Sequence, residues 1–343
     1  MFKGLTPIIR IQNIYPKSDY ISCIIRLHDN RIAIGSWNFS IKIYSFDYTN
    51  KTWNCDIQVQ HTHLRLIRVY YICQFTNNIL ITSSYKEINS WELTQNEIIL
   101  KQTILKAHND LIPNIIKLNT TSFITCSNDC TIKIWNYFDD KIILSATMKS
   151  KFSENAIKLL PTNKQILVSC SEPQQKVLSF WALVSFSLIT VMKDIQCYGK
   201  HALVTLENGH VAVASASEII IIDTVLFKVV KVIKENKYIE DNDYLRSLFV
   251  MDNRFLIYAC KGKFLQIDIF DEYKVIYKNK IDEEFEGEGL LCLEDGKYVI
   301  GDNWNYGITV FENKENKNQI NRRDIIQKLL QIKNSIIIKN HKK

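Results

Sequence analysis

Histidines are the first place to look for chemistry in this chain. His61-Thr62-His63 reads as half of a metal site, but no third or fourth ligand accompanies the pair. His201 and His210 flank a strand pair, residues 202–206 and 211–215, joined at Glu207-Asn208-Gly209. Neither has a nucleophile or carboxylate partner in sequence, so both are expected at solvated hairpin positions. Carboxylates gather twice, at Glu240-Asp241-Asn242-Asp243 and at Asp282-Glu283-Glu284-Phe285-Glu286-Gly287-Glu288. Such clusters are solvated, self-repelling loops, docking patches for a basic partner, or calcium loops. The oxygen spacing of a helix–loop–helix calcium site is absent here. The nine cysteines are odd in number and include no Cys-x-x-Cys pair. Cys126 and Cys130 flank a turn where buried, reduced thiols are expected. No Gly-rich phosphate loop, Gly-x-Ser-x-Gly elbow or His-Glu-x-x-His helix occurs. The residues point to no catalytic group, no metal and no cofactor.

The elements that must position these residues announce themselves as a period. The strand Ile132-Lys133-Ile134-Trp135 has counterparts ending on Tyr44, Trp91, Trp181, Ile222, Ile267 and Phe311. The seven end positions, 44, 91, 135, 181, 222, 267 and 311, are spaced by 47, 44, 46, 41, 45 and 44. A second apolar run precedes each strand, as at 31–35 and 122–126, and a third precedes that, as at 21–25 and 245–249. Short β-branched and aromatic runs at even spacing read as antiparallel strands. Recurrence every forty-odd residues marks a repeat architecture. Seven units of about four strands each predict an all-β, seven-bladed propeller of four-stranded antiparallel blades.

The third unit carries Ala107-His108 and, 27 positions later, Trp135-Asn136, with the polar turn Ser127-Asn128-Asp129 between them. It resembles a WD40 repeat, whose pattern runs from a Gly-His pair to Trp-Asp. The resemblance implies a structural network of His108, Thr125, Asp129 and Trp135. In it Asp129 closes the turn and His108 ties the incoming loop to it. His63 lies 28 positions before Trp91, which favours the same structural role over a metal ligand. The likeness covers residues 5–312. It is strong in one unit, partial in two or three, and only periodic in the rest.

What the resemblance implies for function is a non-enzymatic scaffold or adaptor presenting propeller loops to other proteins. Alternatives are a stoichiometric subunit of a large assembly (ciliary, ribosome-biogenesis or coat complex) and a ubiquitin-ligase substrate receptor. Against the receptor, Trp135-Asn136-Tyr137-Phe138 and Trp91-Glu92-Leu93-Thr94 both lack the arginine of Trp-Asp-x-Arg. A phosphoinositide-binding propeller would carry paired arginines late in the ring, whereas Arg322-Arg323 follows the last unit. Candidate contact residues are the turn aromatics Trp37, Tyr85 and Trp304, as anchors. On an acidic rim for a basic partner they are joined by Asp241, Asp243, Glu283, Glu284 and Glu286.

Composition bounds these readings. A strand-rich chain of 343 residues fits one domain. With only 10 glycines and 5 prolines, Asp29-Asn30, Thr76-Asn77-Asn78 and Asp252-Asn253 are expected to supply the left-handed turn residues. The net charge of +7 is not clustered enough to read as a nucleic-acid footprint. Met1-Phe2-Lys3-Gly4 opens no charged-then-apolar signal, and no apolar run approaches 18 residues. The chain is expected to be soluble, reduced and monomeric, in the cytoplasm or nucleus. Residues 1–318 are expected as the propeller, with 7–15 closing the last blade because no outer strand follows Val310-Phe311. Residues 319–343 are expected as a short, basic, amphipathic helical tail, with Ile325, Ile326, Leu329, Leu330 and Ile332 near helical spacing after Asn321. The tail has three readings: packed on the propeller, hooking a partner, or touching a membrane surface through Arg322, Arg323, Lys328 and Lys333.

Overall fold

The computed structural model describes residues 5–11, 20–37, 40–47, 50, 52–60, 68–160, 165–197, 199–215, 218–234, 246–260, 263–280, 287–292, 298–302 and 307–313. Among them every regular element is a strand, and the strands form seven four-stranded antiparallel sheets. The expected tail, 319–343, lies outside the described residues, as do residues 12–15 of the expected closure strand.

Each sheet is a meander whose first strand is innermost. The inner strands are Ile21–Arg26, Tyr71–Gln74, Asn114–Lys117, Glu154–Leu159, Leu203–Thr205, Arg246–Met251 and Gly287–Cys292. Each contacts the inner strands on both sides, and the last contacts the first, so the blades (numbered 1 to 7 in that order) close a ring. The middle strands are buried on both faces, as in Ile32–Ser36 and Ser122–Cys126, which is why they read as continuous apolar runs. Core clusters fill the seams between blades. Trp91 packs with Ile41 and Ile43 of blade 1, Trp135 with Phe75 and Ile81 of blade 2, and Trp181 with Ile132 and Ile134 of blade 3. A blade left alone would expose one such face, so stability comes from the neighbour.

A β-bulge recurs in every outer strand, opposite the end of the third strand. It falls between Ile43 and Tyr44, Ser90 and Trp91, Ile134 and Trp135, Phe180 and Trp181, Ile221 and Ile222, and Gln266 and Ile267. In blade 7 it falls where Pro7 and Ile9 face Phe311 and Val310. These are the seven positions at which the sequence period was counted. A bulge breaks the alternation of faces, and neighbouring apolar residues are exposed beside it at Ile99 and Leu100, Ile143 and Leu144, Leu188 and Ile189, and Val229 and Val230.

The ring closes through the strand Leu5–Ile11, which pairs antiparallel with Gly307–Asn313 as the outer strand of blade 7. It starts two residues earlier than the expected 7–15. Left-handed turn residues include Asn30, Asp252 and Asn253 as expected, but neither Asn77 nor Asn78. In blades 3 to 6 the residue before the outer strand is also left-handed, whatever its type: Asp140, Phe186, Phe227 and Tyr273. The turn geometry is therefore imposed by the blade rather than chosen by the residue. Gly35 serves a different need: a Cβ there would come within 2.8 Å of both Cys23 Sγ and Val69 Cγ1, where blade 1 meets the segment leading to blade 2.

A chain beginning at residue 12 would leave the edge of Gly307–Asn313 open. Its thermal midpoint is expected to fall by about 5 °C or more, with concentration-dependent association in light scattering. A shortened chain as stable and monodisperse as the full one would show that the closure strand is dispensable.

Candidate interaction face and the network beneath it

Blade 3 carries the implied network. The Trp135 indole is almost fully buried, so its N–H must find an acceptor; it donates to Thr125 Oγ1 at 2.8 Å. The Thr125 hydroxyl donates in turn to His108 Nε2 at 2.7 Å, and His108 Nδ1–H donates to Asp129 at 3.1 Å. Asp129 also accepts the N–H groups of Asn109 (2.8 Å) and Thr131 (2.9 Å) and the Thr131 hydroxyl. Burial, the largest influence, lowers the His108 pKa against the pull of Asp129, which keeps the ring neutral and matches this proton order. Burial raises the Asp129 carboxyl, but hydrogen bonds from His108, Thr131 and Asn109 together outweigh it and hold the group well below the usual carboxylate range. Thr131 was not recognised from sequence, nor was Lys133, whose Nζ donates to Ala107 O at 2.6 Å.

The indole–hydroxyl pair recurs where the tryptophan does. Trp91 Nε1–H donates to Thr82 Oγ1 at 2.9 Å, and Trp181 Nε1–H to Ser169 Oγ at 2.7 Å. In blade 4 the histidine is replaced. Glu154 stands 27 positions before Trp181, the same interval as His108 to Trp135. Its carboxyl is 1% exposed, and neither oxygen completes a hydrogen bond. Burial pushes its pKa up to about 7, against a smaller pull from the nearby hydroxyls of Ser150 and Ser169. The 27-residue interval was the signal that would have found it.

Two histidine expectations need correction. His201 is not a solvated hairpin residue: it stacks on Tyr71 of blade 2, with centroids 5.9 Å apart, and its Nε2 is buried. Burial, then Lys200 and Lys158, pushes its pKa well down. The same loop sends Lys200 Nζ to Tyr70 O at 2.7 Å. Blades 5 and 2 are not neighbours, so residues 200 and 201 reach across the channel. His210 is half-buried rather than solvated, with its ring stacked on Tyr273, Nδ1 bonded to the Tyr273 hydroxyl, and Asp223 at 3.9 Å. Cys126 is fully buried and Cys130 half-buried, both as free thiols.

Trp37 and Tyr85 sit in the turns between second and third strands of blades 1 and 2, on the face where the inner strands begin. Trp37 is 38% exposed and Tyr85 52%. Tyr20 meets Trp37 edge-on at 5.3 Å, and the Arg68 guanidinium lies 4.7 Å from the Trp37 ring centroid. The Lys86 ammonium stands 5.1 Å from the Tyr85 ring, and the Tyr85 hydroxyl bonds to Asp110, which raises its pKa. Because Lys86 O also accepts the His108 N–H, this face rests directly on the blade 3 network. Trp304, Asp241, Asp243, Glu283, Glu284, Glu286, His61 and His63 lie outside the described residues. On the opposite rim, a groove of about 740 Å³ is lined by Asp29, Arg31, Asp56, Asn77, Thr94 and Asn96. Its arginine is already engaged by Asp29 at 2.8 Å and by Gln95 O. Among the described residues no group of three or more His, Cys, Asp or Glu could hold a metal ion, and no helix is long and apolar enough to cross a membrane.

Replacing Asp129 by Ala strips an acceptor from His108 and two N–H groups, and should cost about 3 kcal/mol in urea unfolding. The stability due to its carboxylate is present above the ordinary carboxylate pKa and is lost as pH falls below it. Glu154 has the opposite sign. Its raised pKa means stability is full below the unfolded value of 4.5 and declines as pH rises towards 7. Glu154→Gln should match wild type near pH 4.5 and exceed it by about 2–3 kcal/mol at pH 8. A gap independent of pH would contradict the buried-acid assignment.

No protein-family model matches the chain, and no curated protein matches it by sequence. Structural likeness is another matter. The crystal structure of the WD40 beta propeller domain of Doa1 superposes with a TM-score of 0.70 over 92% of this chain and 99% of that one, at 13% identity. As many as 1511 solved chains match, so the architecture alone singles out no activity. The chain has the WD40 β-propeller fold.

Proposed function

We propose that the chain is a protein-interaction scaffold whose working face is the surface of blades 1 and 2 around Trp37 and Tyr85. The observation that carries this reading is the grouping of exposed Tyr20, Trp37 and Tyr85 with Arg68 and Lys86 on one face. Tyr, Trp and Arg are the side chains that dominate interface energetics. They stand on turns held by buried strands, so little ordering cost is left for binding. Cations outnumber the acid Asp110 there, which suits a partner segment that pairs apolar side chains with carboxylates. The scaffold itself acts without catalysis, and one copy suffices to build this face. Free thiols at Cys23, Cys73, Cys126, Cys170 and Cys197 support a reducing compartment.

Affinity purification with mass spectrometry tests the proposal on the full chain. Trp37→Ala with Tyr85→Ala should deplete captured partners by tenfold or more while the thermal midpoint stays within about 2 °C of wild type. A stoichiometric set of co-purifying subunits would place the chain in a large assembly, and ligase components would make it a substrate receptor. Capture unchanged by the double variant would remove this face from the function.

A further inference from the structure

The third strands all run the same way, so their ends share one face of the ring, opposite the Trp37 and Tyr85 face. The turns that follow them differ in character from blade to blade. In blade 2 the tip is Thr94-Gln95-Asn96-Glu97, polar throughout. In blades 4 to 6 the tips expose Val184 (71%) and Phe186 (46%), Val225 (80%) and Leu226 (59%), and Phe270 (65%). The architecture does not call for this, because the polar tip of blade 2 serves the same connection. Phe186 is the clearest case: its backbone is left-handed, at φ 51°, in the position that blade 3 fills with Asp140. A bulky side chain is costly in that conformation. Leu188, Ile189, Val229 and Val230, at the starts of the outer strands, extend the tips into an apolar rim. Clustered exposed apolar side chains of this kind mark a contact surface.

Two observations say what covers the rim. The first is where the chain leaves the ring. Gly307–Asn313 is the third strand of blade 7, so it ends on this same face, and blade 7 packs against blade 6. The next six residues, 314–319, can reach about 20 Å when extended, whereas packed sheets lie about 10 Å apart. Beyond them Ile325, Ile326, Leu329 and Leu330 recur at helical spacing. A helix over 320–337 would be about 27 Å long, enough to cross two blades. The second observation is charge. Glu207, Asp252 and Glu272 are exposed on this face of blades 5 and 6. Of the cations there, Arg254 is paired with Asp268 at 2.7 Å and Lys274 lies 3.8 Å from Asp271, which leaves Lys228 among the described residues. Residues 320–337 carry the opposite balance, with Arg322, Arg323, Lys328 and Lys333 against Asp324.

We propose that residues 320–337 dock as an amphipathic helix on the apolar rim of blades 6 and 5, laying Ile325, Ile326, Leu329 and Leu330 against Phe270, Val225 and Leu226. Apolar burial supplies the attraction, and the basic side chains of the segment set its place beside the exposed carboxylates. The contact ties this segment to the face opposite Trp37 and Tyr85 and leaves that face uncovered.

Zero-length carbodiimide crosslinking of the full chain, read by mass spectrometry on a mixture of isotope-labelled and unlabelled protein, tests this. Links from Lys328 or Lys333 to Glu207, Asp252 or Glu272 are expected within one copy. Val225→Ser with Leu226→Ser should lower their yield at least fivefold while the thermal midpoint stays within about 2 °C of wild type. Ile326→Ser with Leu330→Ser should lower it equally from the other side of the contact. The same variant should raise the binding of a hydrophobic dye severalfold by uncovering the rim, and it serves as the test should the rim variant fold poorly. Links found only between copies would assign the rim to self-association and overturn the proposal. Links from these lysines to Asp110 on the opposite face, links that survive both variants, or no links at all would overturn it too.

Discussion

Everything in this propeller depends on a large side chain at the end of the third strand filling the seam to the preceding blade. Where that side chain is tryptophan, two conditions follow at once. Its rings must be covered by the neighbour, and its N–H, cut off from water, must meet an acceptor on its own blade. Thr82, Thr125 and Ser169 are those acceptors. The outer strand bulges at this same position in every blade. Seam packing and strand geometry are thus one repeated constraint.

Blade 3 extends that constraint into a chain of hydrogen bonds ending on Asp129, and blade 4 truncates it at Glu154. The contrast shows how one fold position tolerates opposite electrostatics. His108 is buried but neutral, and its partner carboxylate keeps enough hydrogen bonds to stay charged. Glu154 has burial without donors of good geometry, so it favours its proton. Blades 5 and 6 show neither group among their described residues and rely on aliphatic packing such as Ile219, Ile221 and Ile267. Polar networks therefore specify a minority of the blades; apolar seams and a closed ring carry the others.

The surfaces available for work differ in kind. The exposed apolar residues beside the outer-strand bulges recur from blade 2 to blade 5, and so follow from the architecture. Among the described residues the Trp37 and Tyr85 face does not repeat: it joins aromatics and cations from several segments, Tyr20 and Arg68 among them, at one place. The channel is a third kind of surface, assembled from non-neighbouring blades.

The sequence by itself determined the register of the repeats, the third-strand end positions and the identity of the closing segment. The reason is that strand pairing and seam packing are local rules that recur at a fixed interval and leave a period in the residue types. The resemblance of the third unit to a WD40 repeat also implied His108, Thr125, Asp129 and Trp135 as one set, since that set lies within a single repeat. Only the tertiary structure decided the roles of His201 and His210. Their partners, Tyr71 and Tyr273, stand 130 and 63 positions away in the chain. No local pattern encodes such a pairing, since ring closure alone sets which distant residues face one another across the axis or a seam.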